Sequence, residues 1–404
     1  MNKRVVITGL GVISSIGIGW VDFWESLMKG RSGISSVSSF DTTNYFTHTG
    51  GEVKQFEPKA FISEERIGSL SRASQFAVAA SKLAMKDADL FKGNIVAMRT
   101  GTCIGTTMGS VQTVEVLNER EVVRKQPECD TKLLYQIPTH STPAAVSREF
   151  GLSGPAMMFS TACAAGNYAI GYGFDLIQLG RADIILAGGS DPFSKVAFTG
   201  FNQLSAVAPE KCQPFDKNRK GMMVAEGAGI LIIESLEHAK KRNASIYAEI
   251  LGYGLSCDAR HMTQPSVEGI SLCMMAAINR TGIRKEDIDY ISAHGTGTPA
   301  NDKTECAAIK EVFGDRYKNI PVSSIKSMIG HTMGAASAIE AIACALAIRN
   351  NMLPPTINYE TPDPECDIDC VPNQARRHTV NIALNNSYAF GGNNASLALK
   401  KFTE

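Results

Sequence analysis

The 404-residue sequence predicts a layered α/β fold, and three observations carry that reading. Short apolar runs that end in Gly, Thr or Ser alternate with longer helical runs along the whole chain, the pattern of a sheet covered by helices. Two runs of small and apolar residues, near 164–179 and 334–348, each begin beside a reactive side chain, which implies two related halves packed back to back. No Pro- or Ser-rich linker divides them, so one body is expected.

Taken in order, Val5–Thr8 reads as a first strand, with Gly9 and Gly11 as a tight exit. Trp20–Lys29 is an amphipathic helix, 32–60 a loop-rich stretch, and Ser71–Lys86 an alanine-rich helix. Ile95–Ile104 predicts a strand, Val111–Val123 a helix followed by the irregular QPECDT, and Pro143–Phe150 a short helix. Met157–Ser160 reads as the end of a buried strand that leads into a helix over Ala164–Leu179. Ala182–Ala187 is a strand ending at Gly188-Gly189, and 190–223 is loop-rich. Gly227–Glu234 and Tyr247–Tyr253 are strands on either side of a charged helix, Leu236–Arg242. Beyond them come a helix from Gly269, strands at Asp289–Ser292 and Pro321–Ser324, and helices at Thr304–Phe313 and Ala335–Arg349. Val380–Leu384 and Ala395–Leu399 close the fold around the glycine loop 388–394.

Composition narrows the function. Lys+Arg and Asp+Glu both number 40, so no global field draws in nucleic acid or an anionic membrane. No stretch of about 18 uninterrupted apolar residues predicts a membrane span. The first residues, VVITGLGVISSIG, read as strand and turn and not as a leader, and ten scattered cysteines in so long a chain predict free thiols in the cytoplasm. Cys366 and Cys370 near His378 lack the second cysteine pair of a zinc site, so no metal is expected.

The reactive groups stand at strand ends. Cys163, in STACAAG, sits where a strand passes into a helix; there the free amides and the helix dipole favour thiolate, the alternative being a buried structural thiol. His294 leaves a strand into the loop GTGTP, where the alternative is a solvated histidine. His331 follows Lys326 at a second strand-to-helix passage. Glu340 is the only charge within 334–348 and needs a partner, for which Lys326 or a backbone amide is nearest. The loop NNSYAFGGNN suits a donor of N–H groups to a bound oxygen better than a phosphate cradle, because no helix follows it. Together these groups suit carbonyl chemistry at a thioester.

With TACAAG, ADIILAGGSD, PFDKNRKGMMVAEGAG, HGTGTPAND, SSIKSMIGHTMGAAS and FGGNN in hand, the sequence resembles the elongating β-ketoacyl-[acyl carrier protein] synthases of the thiolase-like superfamily along nearly its whole length. The resemblance implies a five-layer αβαβα fold in two halves, 1–243 with the cysteine and 244–404 with both histidines and the glycine loop. It implies a homodimer, no cofactor, and an acyl carrier protein that delivers substrates on its phosphopantetheine arm. By motif, Cys163 accepts the acyl chain, His294 and His331 bind the malonyl thioester carbonyl, and Lys326 and Glu340 order the site. The amides of Cys163 and Phe390 correspond to the oxyanion hole, and Phe390 to a gate. Thr296 and Thr298 correspond to the hydroxyls that hold the pantetheine arm, while Met108, Ser110 and Phe198 fall at the acyl pocket. Two histidines and a single cysteine in these motifs set the chain apart from initiating synthases and thiolases.

Departures from the family pattern bear on pathway. Tyr388, Ala389 and Asn393 replace Phe, Gly and Thr in the loop, and Ala389 is expected to stiffen the gate hinge. Asn202-Gln203 stand where an arginine commonly meets the carrier, Glu64-Glu65 thin a basic helix, and Lys211, Lys217, Arg219 and Lys220 are left to make that contact. The principal expectation is elongation of a fatty acyl chain by two carbons. The alternatives are a ketosynthase of a specialised polyketide or unusual-lipid pathway, with a chain-length-factor partner, and a silent scaffold subunit, which the intact Cys163 and histidines disfavour.

Overall fold

The computed structural model describes residues 3–90, 95–126 and 130–403; Cys129 and part of the irregular QPECDT lie outside them. Ten strands form the path of the main sheet, to which the two-residue strand Gly17–Ile18 adds by pairing with the end of the first: β1 Val5–Ser14, β2 Thr100–Gly105, β3 Ala156–Phe159, β4 Ile184–Asp191, β5 Gly227–Ser235, β6 Ala248–Cys257, β7 Tyr290–Ser292, β8 Val322–Ser323, β9 Ile382–Tyr388 and β10 Asn393–Lys400. The first five run β3-β2-β4-β5-β1 and the second five β8-β7-β9-β10-β6, the same order twice. Pairing directions repeat as well: the first two contacts of each set are parallel and the last two antiparallel. Only three residue pairs, Val5–Ile7 against Ala248–Ile250, join β1 to β6 across the two sets.

Seven of the helices among the described residues cover and fill this frame: α1 Arg72–Asp87, α2 Ser141–Phe150, α3 Ala165–Gln178, α4 Lys195–Gln203, α5 Val267–Thr281, α6 Pro299–Phe313 and α7 Ala336–Asn350. α3 and α7 touch each other and strands of both sets, which makes them the central layer; α1 and α2 cover the outer face of one set, α5 and α6 that of the other. This is the five-layer αβαβα fold. Burial on all sides explains why α7 lacks a polar face, whereas α3 keeps a partly exposed one at Tyr168, Tyr172, Asp175 and Gln178. Met333–Asn350 is long and apolar enough to cross a bilayer, yet 89% of it is buried inside the protein. The repeat extends to detail. Ala162 and Met333, each three residues before a central helix, both hold positive φ, at 47° and 53°.

Several sequence expectations need correction. β1 does not end at Thr8; it continues through Gly9 and Gly11 to Ser14, fully buried. The glycines are there for contact: a Cβ on Gly11 would lie 1.9 Å from the Ala80 carbonyl oxygen of α1. β4 likewise passes through Gly188-Gly189 to Asp191. The strand expected from Ile95 starts only at Thr100, after a helical turn at 97–99. The helix expected to Val123 is α-helical only over Val111–Asn118 and widens to a π turn after it. α6 begins at Pro299, five residues before the expected Thr304, because Thr298 accepts the Asn301 amide as N-cap and Pro fits the first helical position. α4 was not expected at all: Gly200, Val196 and Thr199 depress its propensity, and its stability comes from the Ser194 cap and the burial of Ala197 and Phe198. β3 is an edge strand and not a buried one, with Met157 38% exposed.

Candidate active site

Cys163 lies on a single 3-10 turn, Ala162–Ala164, between β3 and α3, and its carbonyl accepts the Ser387 hydroxyl of β9 at 2.9 Å. The bond ties the cysteine turn to the second half. His294 stands two residues past β7, where Glu305 of α6 accepts the amides of His294 and Gly295, both at 2.8 Å. His331 donates its amide to the Met223 carbonyl at 2.7 Å and accepts Ala225 N–H at 3.0 Å. The two imidazoles meet edge to face, centroids 5.5 Å apart, and the Cys163 sulfur and one nitrogen of each ring all lie within 4.8 Å of one another. All three residues line one cavity.

Protonation follows from these contacts. The Nδ1 of His331 accepts the Met333 amide at 3.1 Å, and the Nδ1 of His294 faces the Lys326 ammonium at 3.4 Å. Both partners can only donate, so each neutral ring carries its proton on Nε2. Burial, followed by the charge of Lys326, drives both pKa values well below the ordinary histidine value, so the rings are neutral at pH 7. The Nε2 of His331 is buried without a protein partner among the described residues. The same locked tautomers argue against a metal on this Cys-His-His cluster, because no Nε2 lone pair is free to ligate one.

Lys326 and Glu340 are 0% and 1% exposed and form a direct ion pair, with the lysine also donating to the His294 carbonyl at 2.7 Å. Burial pushes the Glu340 carboxyl up to about 7, against the pull of Lys326. For Cys163, burial raises the thiol to about 11, more than Lys326 lowers it, so desolvation opposes the thiolate that the turn's dipole is expected to favour.

The remaining predicted residues divide. Thr296 and Thr298 line the cavity, their hydroxyls 2.9 Å apart. Phe390 lines it too and packs on Phe201 with centroids 5.8 Å apart. Ala389 sits at φ −114° and ψ 155°, extended backbone that needs no glycine. Met108, Ser110 and Phe198 are not brought to the cavity. Met108 and Phe198 belong to an adjacent apolar cluster with Phe193 and Met333, and Ser110 is buried with its hydroxyl unpartnered among the described residues. Of the four cations left for a carrier, Arg219 is buried against Asp363 and Lys211 pairs with Glu360, which leaves Lys217 and Lys220. Cys366 and Cys370 are buried free thiols, and His378 binds the Asp289 carbonyl instead.

Sequence reasoning missed the buried acids that hold the loops. Glu305 is one; Asp302 is another, accepting the amides of Phe215 at 2.8 Å and Gly297 at 3.1 Å. Asp191 is the third. The available signal was an acidic residue at the end of an apolar strand or on an otherwise apolar helix face.

A sheet order used twice, with a thiol and two neutral N–H donors where the halves meet, is the architecture of the thiolase-like condensing enzymes, which are acyltransferases. Residues 2–239 match the Beta-ketoacyl synthase N-terminal domain and residues 247–360 its C-terminal domain. The chain belongs to the β-ketoacyl synthase family. It is 42% identical to a 3-oxoacyl-[acyl-carrier-protein] synthase 2 of Staphylococcus aureus and 40% identical to Nodulation protein E of Rhizobium meliloti, covering 99% of this chain in each case and 99% and 100% of the relatives. Among solved structures it resembles the ishigamide ketosynthase/chain length factor, with TM-score 0.97 and 46% identity over 100% of both chains. A type II polyketide ketosynthase in complex with its acyl-carrier protein follows at TM-score 0.92 and 35% identity, over 100% of both chains.

Proposed function

We propose that this chain is a 3-oxoacyl-[acyl carrier protein] synthase that lengthens an acyl chain by decarboxylative condensation. The observation that carries the reading is the two imidazoles, each with its proton fixed on Nε2, that share one cavity with Cys163 and bring one ring nitrogen each within 4.8 Å of its sulfur. Cys163 attacks the acyl thioester; the carrier thiol leaves with the proton and the acyl group stays on sulfur. A malonyl thioester then places its carbonyl oxygen against the two Nε2–H groups. The bond to the carboxylate breaks, CO₂ leaves, and the electron pair is held as an enolate by the two donors. The enolate carbon attacks the acyl-Cys163 carbonyl, the oxyanion rests on the amides of Cys163 and Phe390, and collapse expels the Cys163 thiolate. Lys326, held by Glu340, keeps the His294 ring oriented. Thr296 and Thr298 hold the phosphopantetheine arm at the mouth.

The partner is an acyl carrier protein, met through Lys217 and Lys220, and the working form is a dimer formed along the open edge of β3. Nine free thiols among the described cysteines suit the reducing cytoplasm. A second reading, a ketosynthase of a specialised pathway with a chain-length-factor partner, is favoured by the 46% identity to the ishigamide protein over the whole chain. The experiment is intact-mass and CO₂-release measurement with acyl and malonyl carriers. His294→Ala and His331→Ala are expected to accept an acyl group on Cys163 yet lose decarboxylation; normal CO₂ release by either variant refutes the assignment. Acylation only in the presence of a second subunit selects the specialised reading.

A further inference from the structure

The last residue of β4 is a carboxylate that the reaction above does not use. Asp191 is 0% exposed, and no ion pair to it is seen among the described residues. Five donors surround it instead. Oδ1 accepts the Thr106 hydroxyl at 2.6 Å, the Met108 amide at 2.8 Å and the Gly109 amide at 3.3 Å. Oδ2 accepts the Thr107 amide at 2.7 Å and the Gly334 amide at 2.6 Å. Four of the five donors come from the loop after β2, and the fifth comes from the turn that opens α7, in the other half of the chain.

That turn also sets a catalytic imidazole. Met333, with φ 53°, donates its amide to His331 Nδ1 at 3.1 Å. Gly334 follows it directly, and its backbone lies against the same loop: a Cβ there would come within 2.6 Å of the Thr107 nitrogen. Met108 and Met333 pack in one apolar cluster. One carboxylate oxygen therefore bridges Thr107 and Gly334, and through Gly334 it fixes the residue that orients His331. Backbone amides neutralise this charge at short range without competing for the ring, which a lysine at the same place would not do.

We propose that Asp191 is a positioning residue for the condensation: it clamps loop 106–109 to the His331 turn, so that His331 Nε2 faces the malonyl carbonyl only while that loop is seated. The inference rests on the reading of His331 given above. An error of about 1 Å in such a group costs roughly 100-fold in rate. Cys163 lies on a different turn, which touches the 333–335 turn, and the Asp191 charge raises its thiol pKa; loss of that charge does not slow acylation, whereas decarboxylation needs His331 seated.

The test compares two half-reactions in the full-length protein. Asp191→Asn keeps the shape but turns an amide NH₂ toward amide donors. It is expected to acylate Cys163 within about threefold of wild type, and to lower kcat for malonyl decarboxylation roughly 10- to 100-fold with little change in KM. Thr106→Val, which removes one donor on the loop side only, should lower the same kcat less and in the same direction; it serves alone if the Asn variant does not fold. Equal losses in both half-reactions, a change confined to KM, or unchanged kcat in a folded variant overturns the clamp. Failure of the wild type itself to acylate Cys163 or release CO₂ would instead overturn the proposed reaction.

Discussion

At the scale of single residues, burial and hydrogen-bond geometry set the chemistry more than residue type does. His294 and His331 remain neutral because desolvation and the Lys326 charge both oppose a second proton, and their Nδ1 partners choose the tautomer. The same desolvation acts on Cys163 with the opposite sign for the proton. It favours the neutral thiol, raising its pKa to about 11. Alkylation of the ligand-free enzyme by iodoacetamide should therefore rise about tenfold per pH unit from pH 8 to 10, since thiolate accumulates only as pH climbs toward that value. A plateau at or below pH 8 would show that the turn's dipole prevails after all.

At the scale of elements, α7 shows what a buried charge pair costs and why it persists. Within Ala336–Ile348 every residue is buried, and Glu340 has Lys326 as its only ionic partner, leaving its second oxygen unpartnered among the described residues. Removing one member leaves the other charged and unpaired, which costs about 3–5 kcal/mol; replacing both with apolar residues is often neutral or stabilising. Glu340→Leu should thus lower the urea-unfolding free energy by about 3–5 kcal/mol, and Lys326→Met with Glu340→Leu should recover most of it. Condensation should stay lost in the double variant, because the His294 ring and carbonyl lose their Lys326 contacts. A double variant no more stable than Glu340→Leu would mean that the pair is a source of stability and not a device for orienting the ring.

At the scale of the whole molecule, the two five-stranded sets have unequal borders. The β8 border is two residues long and fully buried, whereas β3 ends the other set with Ala156 and Met157 exposed and no strand beyond it among the described residues. Tyr135, 78% exposed, and Leu134, 49% exposed, add to the apolar surface of this half. An open apolar border of this kind can pair with another strand, and the proposed dimer would close it antiparallel about a two-fold axis. Met157→Lys should shift sedimentation at micromolar concentration from dimer to monomer while leaving far-UV circular dichroism unchanged. A wild type that sediments as a monomer, or a variant that stays dimeric, removes the β3 pairing.

The central helices, the cysteine and both histidines were legible in the sequence, because local composition fixes them. An unbroken apolar run has nowhere to go but the interior, and a reactive side chain at a strand end is exposed to whatever cavity forms there. So was the layered α/β class, and the need of Glu340 for a partner, since a lone carboxylate in such a helix cannot stay unpaired; that the partner is Lys326 and not a backbone amide came from the structure. The tertiary structure alone decided the rest. Gly9, Gly11, Gly188 and Gly189 read as strand ends in sequence, yet they sit inside strands because another backbone passes within contact distance. α4 read as loop because its stability comes from a cap and from distant packing. The protonation of Cys163, the tautomers of the imidazoles and the five donors on Asp191 depend on groups as many as 143 positions away in the chain. Desolvation and hydrogen bonding are properties of the assembled neighbourhood, and no local window of sequence contains them.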